Sequence, residues 1–96
     1  MIHVCAPAVI KPQFQKEYLA ILEELAPRVR KEPGCLRYTP CVEEGIDGTT
    51  VTMIETWESK EALEKHLAGE NIAWFRQKIQ GMRETSCCHI YTPLVP

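Results

Sequence analysis

Apolar positions along this 96-residue chain switch between dense runs, a helical period and an alternating period. From Ile2 to Ile10 nearly every position is apolar, which reads as a strand buried on both faces. Pro7 interrupts it. Proline removes a ladder hydrogen bond, so a bulge or an early strand end is expected there. Lys11–Pro12 opens a helix, with Pro12 in the first turn where its missing N–H does no harm. Phe14, Tyr18, Ile21, Leu22, Leu25 and Val29 recur at helical spacing and make one apolar stripe. Pro27 is expected to kink or split this helix near Glu23–Glu24, and Glu32–Pro33–Gly34 ends it. Cys35 to Glu44 reads as a second strand, which Pro40 places at a sheet edge. Glu44–Gly45–Ile46–Asp47–Gly48 reads as a turn. Thr49 to Glu58, rich in β-branched residues, reads as a third strand.

Ser59 is a good N-cap for a second helix, with Glu61 in its first turn facing the positive end of the dipole. Ala62, Leu63, His66 and Leu67 share one face of it. Gly69 breaks the helix and Asn71 is expected to cap a third, whose inner face is Ile72, Phe75, Ile79 and Met82. Gly81 weakens its last turn, and Thr85 to Thr92 reads as the last strand. The order β-α-β-β-α-α-β reduces to β-α-β-β-α-β if the two short helices form one layer. That predicts an α+β, ferredoxin-like fold: a four-stranded antiparallel sheet with helices on one face and the second and fourth strands at its edges. The length fits one domain over residues 1–96.

Alternation also predicts what the sheet leaves uncovered. Strand one puts Ile2, Val4, Ala6, Ala8 and Ile10 on one face and His3, Cys5, Pro7 and Val9 on the other. Strand three divides Val51, Met53 and Trp57 from Thr52, Ile54 and Thr56. The last strand divides Cys88 and Ile90 from Cys87, His89 and Tyr91. Whichever face takes the helices, the other keeps apolar and aromatic groups, more than a monomer usually exposes. A two-fold homodimer closing sheet against sheet is therefore expected.

Composition narrows the class. With 45% hydrophobic and 25% charged residues, the chain is neither disordered, nor collagen-like, nor a coiled coil. No apolar run reaches the roughly 18 residues of a membrane span, and the N-terminus lacks the basic leader of a signal peptide. A net charge of −2 with scattered Lys and Arg argues against nucleic acid as a partner. Cys5, Cys35, Cys41, Cys87 and Cys88 are odd in number and contain no Cys-x-x-Cys pair. They are expected to be free thiols in a reducing cytoplasm, used mostly as small apolar residues.

The residues that could carry chemistry are Glu55, Trp57 and His66, with Tyr38, His89 and Tyr91 reaching them from neighbouring strands. An imidazole beside an aromatic-lined cavity suits general-base work on a phenol or hydroquinone. The plain alternative makes His66 a hydrogen-bonded helix-face residue and Trp57 a core residue. His3 and His89 with His66 or Glu55 form no local metal motif, so no metal is expected. Cys87 shares a strand face with His89 and is a possible activated thiol, against the simpler reading of inert cysteines. Gly45 and Gly48 precede no helix, so no phosphate loop is present.

Two segments resemble a known family. Glu32–Pro33–Gly34–Cys35–Leu36–Arg37–Tyr38 is similar to the helix-to-strand junction of the antibiotic biosynthesis monooxygenase domain. Glu55–Thr56–Trp57–Glu58–Ser59–Lys60–Glu61–Ala62–Leu63–Glu64–Lys65–His66–Leu67 resembles its central signature, and Phe75 stands where the family often has an aromatic residue. The resemblance covers nearly the whole chain and implies a dimeric α/β barrel made of two ferredoxin-like subunits. It implies a monooxygenase that oxidises a small quinol or phenol with O2 and no cofactor. The substrate is deprotonated and its anion passes an electron to O2. Carried over, His66 is the base or anion partner, Trp57 and Tyr38 are cavity walls or donors, and Glu55 is an orienting group behind them. His89, Phe75 and Tyr91 are substrate contacts. The same fold includes haem-degrading enzymes, which this chain departs from: strand one has no asparagine, His66 takes the place of a tryptophan, and Arg76 falls near the haem-ligand position. The alternative within the fold is a non-catalytic module that binds a small aromatic ligand.

Overall fold

The first strand and the third form the centre of the sheet. A computed structural model describes residues 1–44 and 49–96. In it β1 (Ile2–Ile10) pairs antiparallel with β3 (Thr50–Trp57), from Ile2 opposite Trp57 to Val9 opposite Thr50. β2 (Cys35–Val42) flanks β3 at one edge, where Pro40 interrupts no second ladder. On the other side β1 pairs with β4 (Arg83–Ser86) and then with β5 (His89–Tyr91). Three helices cover one face: α1 (Gln15–Val29), entered through a 3-10 turn at Pro12–Phe14, α2 (Lys60–Leu67) and α3 (Glu70–Lys78). The ferredoxin-like architecture is the one expected. The segment Glu44–Gly48, read as a turn, falls largely outside the described residues.

Pro7 does not break β1, contrary to expectation; its neighbour breaks instead. In an antiparallel strand a residue's N–H and C=O point to the same side. The Pro7 carbonyl accepts the Cys87 N–H at 3.1 Å, so the missing Pro7 donor faces the last strand. There the expected strand Thr85–Thr92 comes as two pieces, β4 and β5, parted at Cys87–Cys88. The register of β1 against β4 slips between Val9 and Ile10.

Pro27 likewise leaves α1 whole. It lies two residues before the helix end, where only the Glu23 carbonyl loses its i→i−4 donor. Arg28 in the same turn pairs with Glu24 at 2.6 Å and packs its guanidinium 4.3 Å from the Trp74 ring centre. Ser59 caps α2 as expected, its hydroxyl accepting the Ala62 N–H at 3.1 Å. Asn71 does not cap α3. Gly69 holds the N-cap position without a side-chain bond, and the Asn71 amide is used elsewhere, as described below.

The core follows the alternation. Ile2, Val4, Ala8 and Ile10 of β1 and Val51, Met53 and Trp57 of β3 are buried under Tyr18, Leu22, Leu25 and Val29 of α1 and Ile72 and Phe75 of α3. β1 thus buries its helix side, Ala6 excepted, and that side alone. Its other side, with His3, Cys5, Pro7 and Val9, is half-buried beside Thr52, Ile54 and Thr56. Leu36, Ile90 and Tyr91 stand out as exposed large apolar groups.

Candidate active site

Between the helix side of the sheet and the helices lies a cavity of about 270 Å³ with a mostly apolar wall. Its floor comes from β1 and β3, its roof from α1, α2 and α3, and one end from the segment Arg83–Cys88. Two buried polar side chains line it: Glu55, 6% exposed, and His66, 2% exposed.

His66 is carried by the last turn of α2. Its ring lies 4.5 Å from the Trp57 ring, tilted by 32°, and 5.4 Å edge-on to the Tyr38 ring. Nδ1 is 2.9 Å from Oε1 of Glu32. A carboxylate only accepts, so Nδ1 carries the proton and Nε2 keeps a lone pair. Glu32 is itself held: its Oε2 accepts the Asn71 amide at 2.8 Å. The loop Glu32–Pro33–Gly34, which ends α1, thus places a carboxylate against α2 and the start of α3. Burial lowers the His66 pKa below the ordinary histidine range, while the hydrogen bond and charge of Glu32 oppose that shift. At neutral pH the imidazole is neutral, with a carboxylate ready to stabilise it once protonated.

Glu55 lies opposite Tyr38 in the β2–β3 register. Its Oε1 accepts the Trp57 indole N–H at 2.9 Å; the two side chains are i and i+2 on one strand and so share a face. The carboxylate behind the imidazole is therefore Glu32, and Glu55 orients Trp57. Burial raises the Glu55 pKa, with the Trp57 donor pulling against it. Burial, with Glu55 and Glu32 adding to it, also raises the Tyr38 phenol, which stays protonated as a donor. Trp57 is fully buried and backs His66 without lining the cavity.

Of the residues singled out from sequence, Tyr38, Glu55, His66 and Phe75 line this cavity together. His89 and Tyr91 do not. They stack on each other, 6.4 Å apart, on exposed β5, and pair with Cys5 and His3 of the uncovered face. His3 bonds Thr56 Oγ1 through Nδ1 at 3.0 Å, so the three histidines do not converge. Among the described residues no group of three or more His, Cys, Asp or Glu is placed to hold a metal ion. All five cysteines are free; Cys87 Sγ lies 3.4 Å from His89 Nε2.

Among the lining or supporting residues that escaped the sequence reading as site residues are Glu32, Tyr18, Arg76 and Arg83. Tyr18 meets Phe75 edge-on at 6.0 Å. Its phenol is raised by burial, against the pull of the Arg83 guanidinium beside it. The only local signal was the position of Glu32 at the head of the first family-like segment.

The model of a family described as antibiotic biosynthesis monooxygenase matches residues 1–78. Among solved structures, one described as an antibiotic biosynthesis monooxygenase superposes with a TM-score of 0.90 at 29% identity, covering 100% of both chains. A protein from Bacteroides thetaiotaomicron, provisionally described in the same terms, gives 0.87 at 25% identity, covering 99% of this chain and 90% of its own. Another from Nitrosomonas europaea gives 0.91 at 17% identity, covering 99% and 100%, a likeness of fold alone. Among curated proteins none matches. Among the described residues no helix is long and apolar enough to cross a membrane.

Proposed function

Since the chain belongs to the antibiotic biosynthesis monooxygenase family, we propose that it oxidises a small quinol or phenol with O2 in this cavity without an organic cofactor or metal. The observation that carries the reading is the Glu32–His66 pair: a buried, neutral imidazole with its basic nitrogen free and a carboxylate behind it, on the wall of a ring-sized cavity. His66 takes the phenolic proton, and Glu32 stabilises the imidazolium that results. Tyr38 donates to the substrate anion, and the apolar wall keeps that anion poorly solvated and reactive. The electron-rich anion is then the reductant. For a quinol the balance is one O2 in, a hydroxylated quinone and one water out. One oxygen atom enters a ring C–H bond and the other leaves with the two hydroxyl hydrogens. The four electrons that reduce O2 come from the substrate alone.

Oxygen uptake by chelator-treated protein with a panel of hydroquinones and polyphenols tests this. Protein-dependent uptake above autoxidation with at least one compound is the expected result. No uptake with any of them, alongside saturable binding, would leave a ligand-binding module.

The working form is taken to be a homodimer closed over the uncovered sheet face. Cys5, Pro7, Val9 and Ile54 on that face and the exposed Tyr91 beside them supply the apolar surface. Light scattering at micromolar concentration should return twice the 11.0 kDa chain mass; a clean monomer would refute the dimer.

A further inference from the structure

Tyr38 and Arg83 stand on strands at opposite edges of the sheet. With the order β2-β3-β1-β4, they are three strand spacings, or about 14 Å, apart across the sheet, and offset along it as well, since Tyr38 is level with Val4 of β1 and Arg83 with Ile10. Both side chains line the one cavity. The β2 end holds the phenol-directed chemistry of His66 and Tyr38. At the other end Arg83 from β4 and Arg76 from α3 line both the cavity and the groove that continues outward past Gln80 and Gly81. Arg83 is half-buried and Arg76 exposed. Among the described residues the ion pairs are Arg28–Glu24 and His66–Glu32, so neither of these guanidinium groups has a carboxylate partner. Arg83 lies against the neutral Tyr18 hydroxyl. A half-buried guanidinium without a counter-charge is costly; Glu55 lines the cavity and Glu84 the outer groove, but neither pairs with these arginines, which leaves that end anion-seeking.

We propose that Arg83 and Arg76 form a carboxylate-recognising subsite, and that the substrate is an aromatic acid whose phenolic hydroxyl and carboxylate lie at opposite ends of the ring system. The inference rests on the proposed phenol-directed reading of the same cavity and adds the substrate class. Guanidinium forks match a planar carboxylate in two parallel hydrogen bonds. With its acid held at the β4 end, a ring of naphthalene length brings its hydroxyl toward His66 at the β2 end. The arginines take no part in the oxidation; they set which phenol binds and in which direction.

The test is binding without turnover. 6-Hydroxy-2-naphthoate and 2-naphthol share ring and hydroxyl and differ in the carboxylate. By calorimetry the naphthoate should bind wild-type protein about tenfold more tightly, the scale of a charge-assisted contact. In the Arg76→Gln/Arg83→Gln double variant that advantage should shrink below about twofold, with 2-naphthol affinity unchanged, which also shows the cavity intact. Arg76→Gln alone, at an exposed position, should remove part of it and guards against a folding defect in the double variant. Equal affinities in wild type, an advantage that survives in the double variant, or binding of neither compound would each overturn the proposal. If the preference holds and oxygen uptake is absent with every phenol, the subsite stands and the oxygenase reading falls.

Discussion

His66→Ala is expected to lower turnover of any accepted phenol by about 100-fold or more, the scale of a lost general base, with KM within a few-fold of wild type. Of the other polar groups on the cavity wall, Tyr38 is held protonated and Glu55 has one carboxylate oxygen engaged by the Trp57 indole. Circular dichroism checks that the fold survives the hole beside Trp57. Turnover equal to wild type would remove His66 from the mechanism. The pH profile sharpens the assignment. The base works only when neutral, and burial lowers its pKa, so kcat/KM should hold below about pH 6.5, where an ordinary histidine is half protonated, and fall at lower pH. Glu32→Gln should do two things at once. It removes the charge and weakens the hydrogen bond that raise the His66 pKa, since an amide oxygen accepts less strongly than a carboxylate, so the acid limb should move further down in pH. It also weakens the base, so the plateau should drop by about tenfold. A merely structural Glu32 would cost stability and leave the limb where it was.

The same proton governs stability. The folded chain holds His66 with a lowered pKa, so between that value and about 6.5 the unfolded chain binds more protons. Its contribution to stability is present above about pH 6.5 and is lost as the pH falls through that window.

What the sequence made legible here is what has a short period. Alternation along β1 and β3 sorted the residues onto two faces, without telling which one the helices cover, and put Glu55 and Trp57 side by side. Helical spacing placed Leu63 and His66 on one buried face of α2, and Ser59 announced where that helix starts. Prolines were harder, because a missing donor matters only on the side where a partner waits. Nothing in Ile2–Ile10 tells which neighbour Pro7 faces, so the break was expected in β1 and occurred across the ladder at Cys87–Cys88. The site was legible in part for a related reason. Glu32 and His66 are 34 positions apart, and no periodicity links them; Glu32 read as part of a helix stop because its loop position was all that was local. Arg76 and Arg83 come from two elements that meet only once the sheet has formed. His89 and Tyr91 lie on β5, the piece of the last strand that faces the open side.

Gly34→Ala is expected to be the most damaging small substitution in the protein, costing about 3 kcal/mol. Two penalties coincide at this residue. Its φ is +83°, a left-handed conformation that costs an L-residue about 1–2 kcal/mol. A Cβ built there would lie 2.6 Å from the Ala62 Cβ, a side-chain atom with no flexible end to move, and overpacking adds about 1–3 kcal/mol. Gly81→Ala is the control: φ is +77° but nothing lies within 4 Å of the new Cβ, so only the backbone penalty of about 1 kcal/mol remains. For a domain of this size each kcal/mol moves Tm by about 4–8 °C, so Gly34→Ala should melt well over 10 °C lower, about three times the shift at Gly81. Equal shifts would mean that the Gly34–Ala62 contact does not form. The consequence reaches the chemistry, because Gly34 is where the Glu32 loop closes onto α2. Its carbonyl accepts the Glu58 N–H at 2.8 Å, next to the Ser59 cap. If the loop yields instead of α2, Glu32 draws away from His66. Gly34→Ala should then reproduce the downward shift of the acid limb seen in Glu32→Gln, in protein that is still folded at the assay temperature.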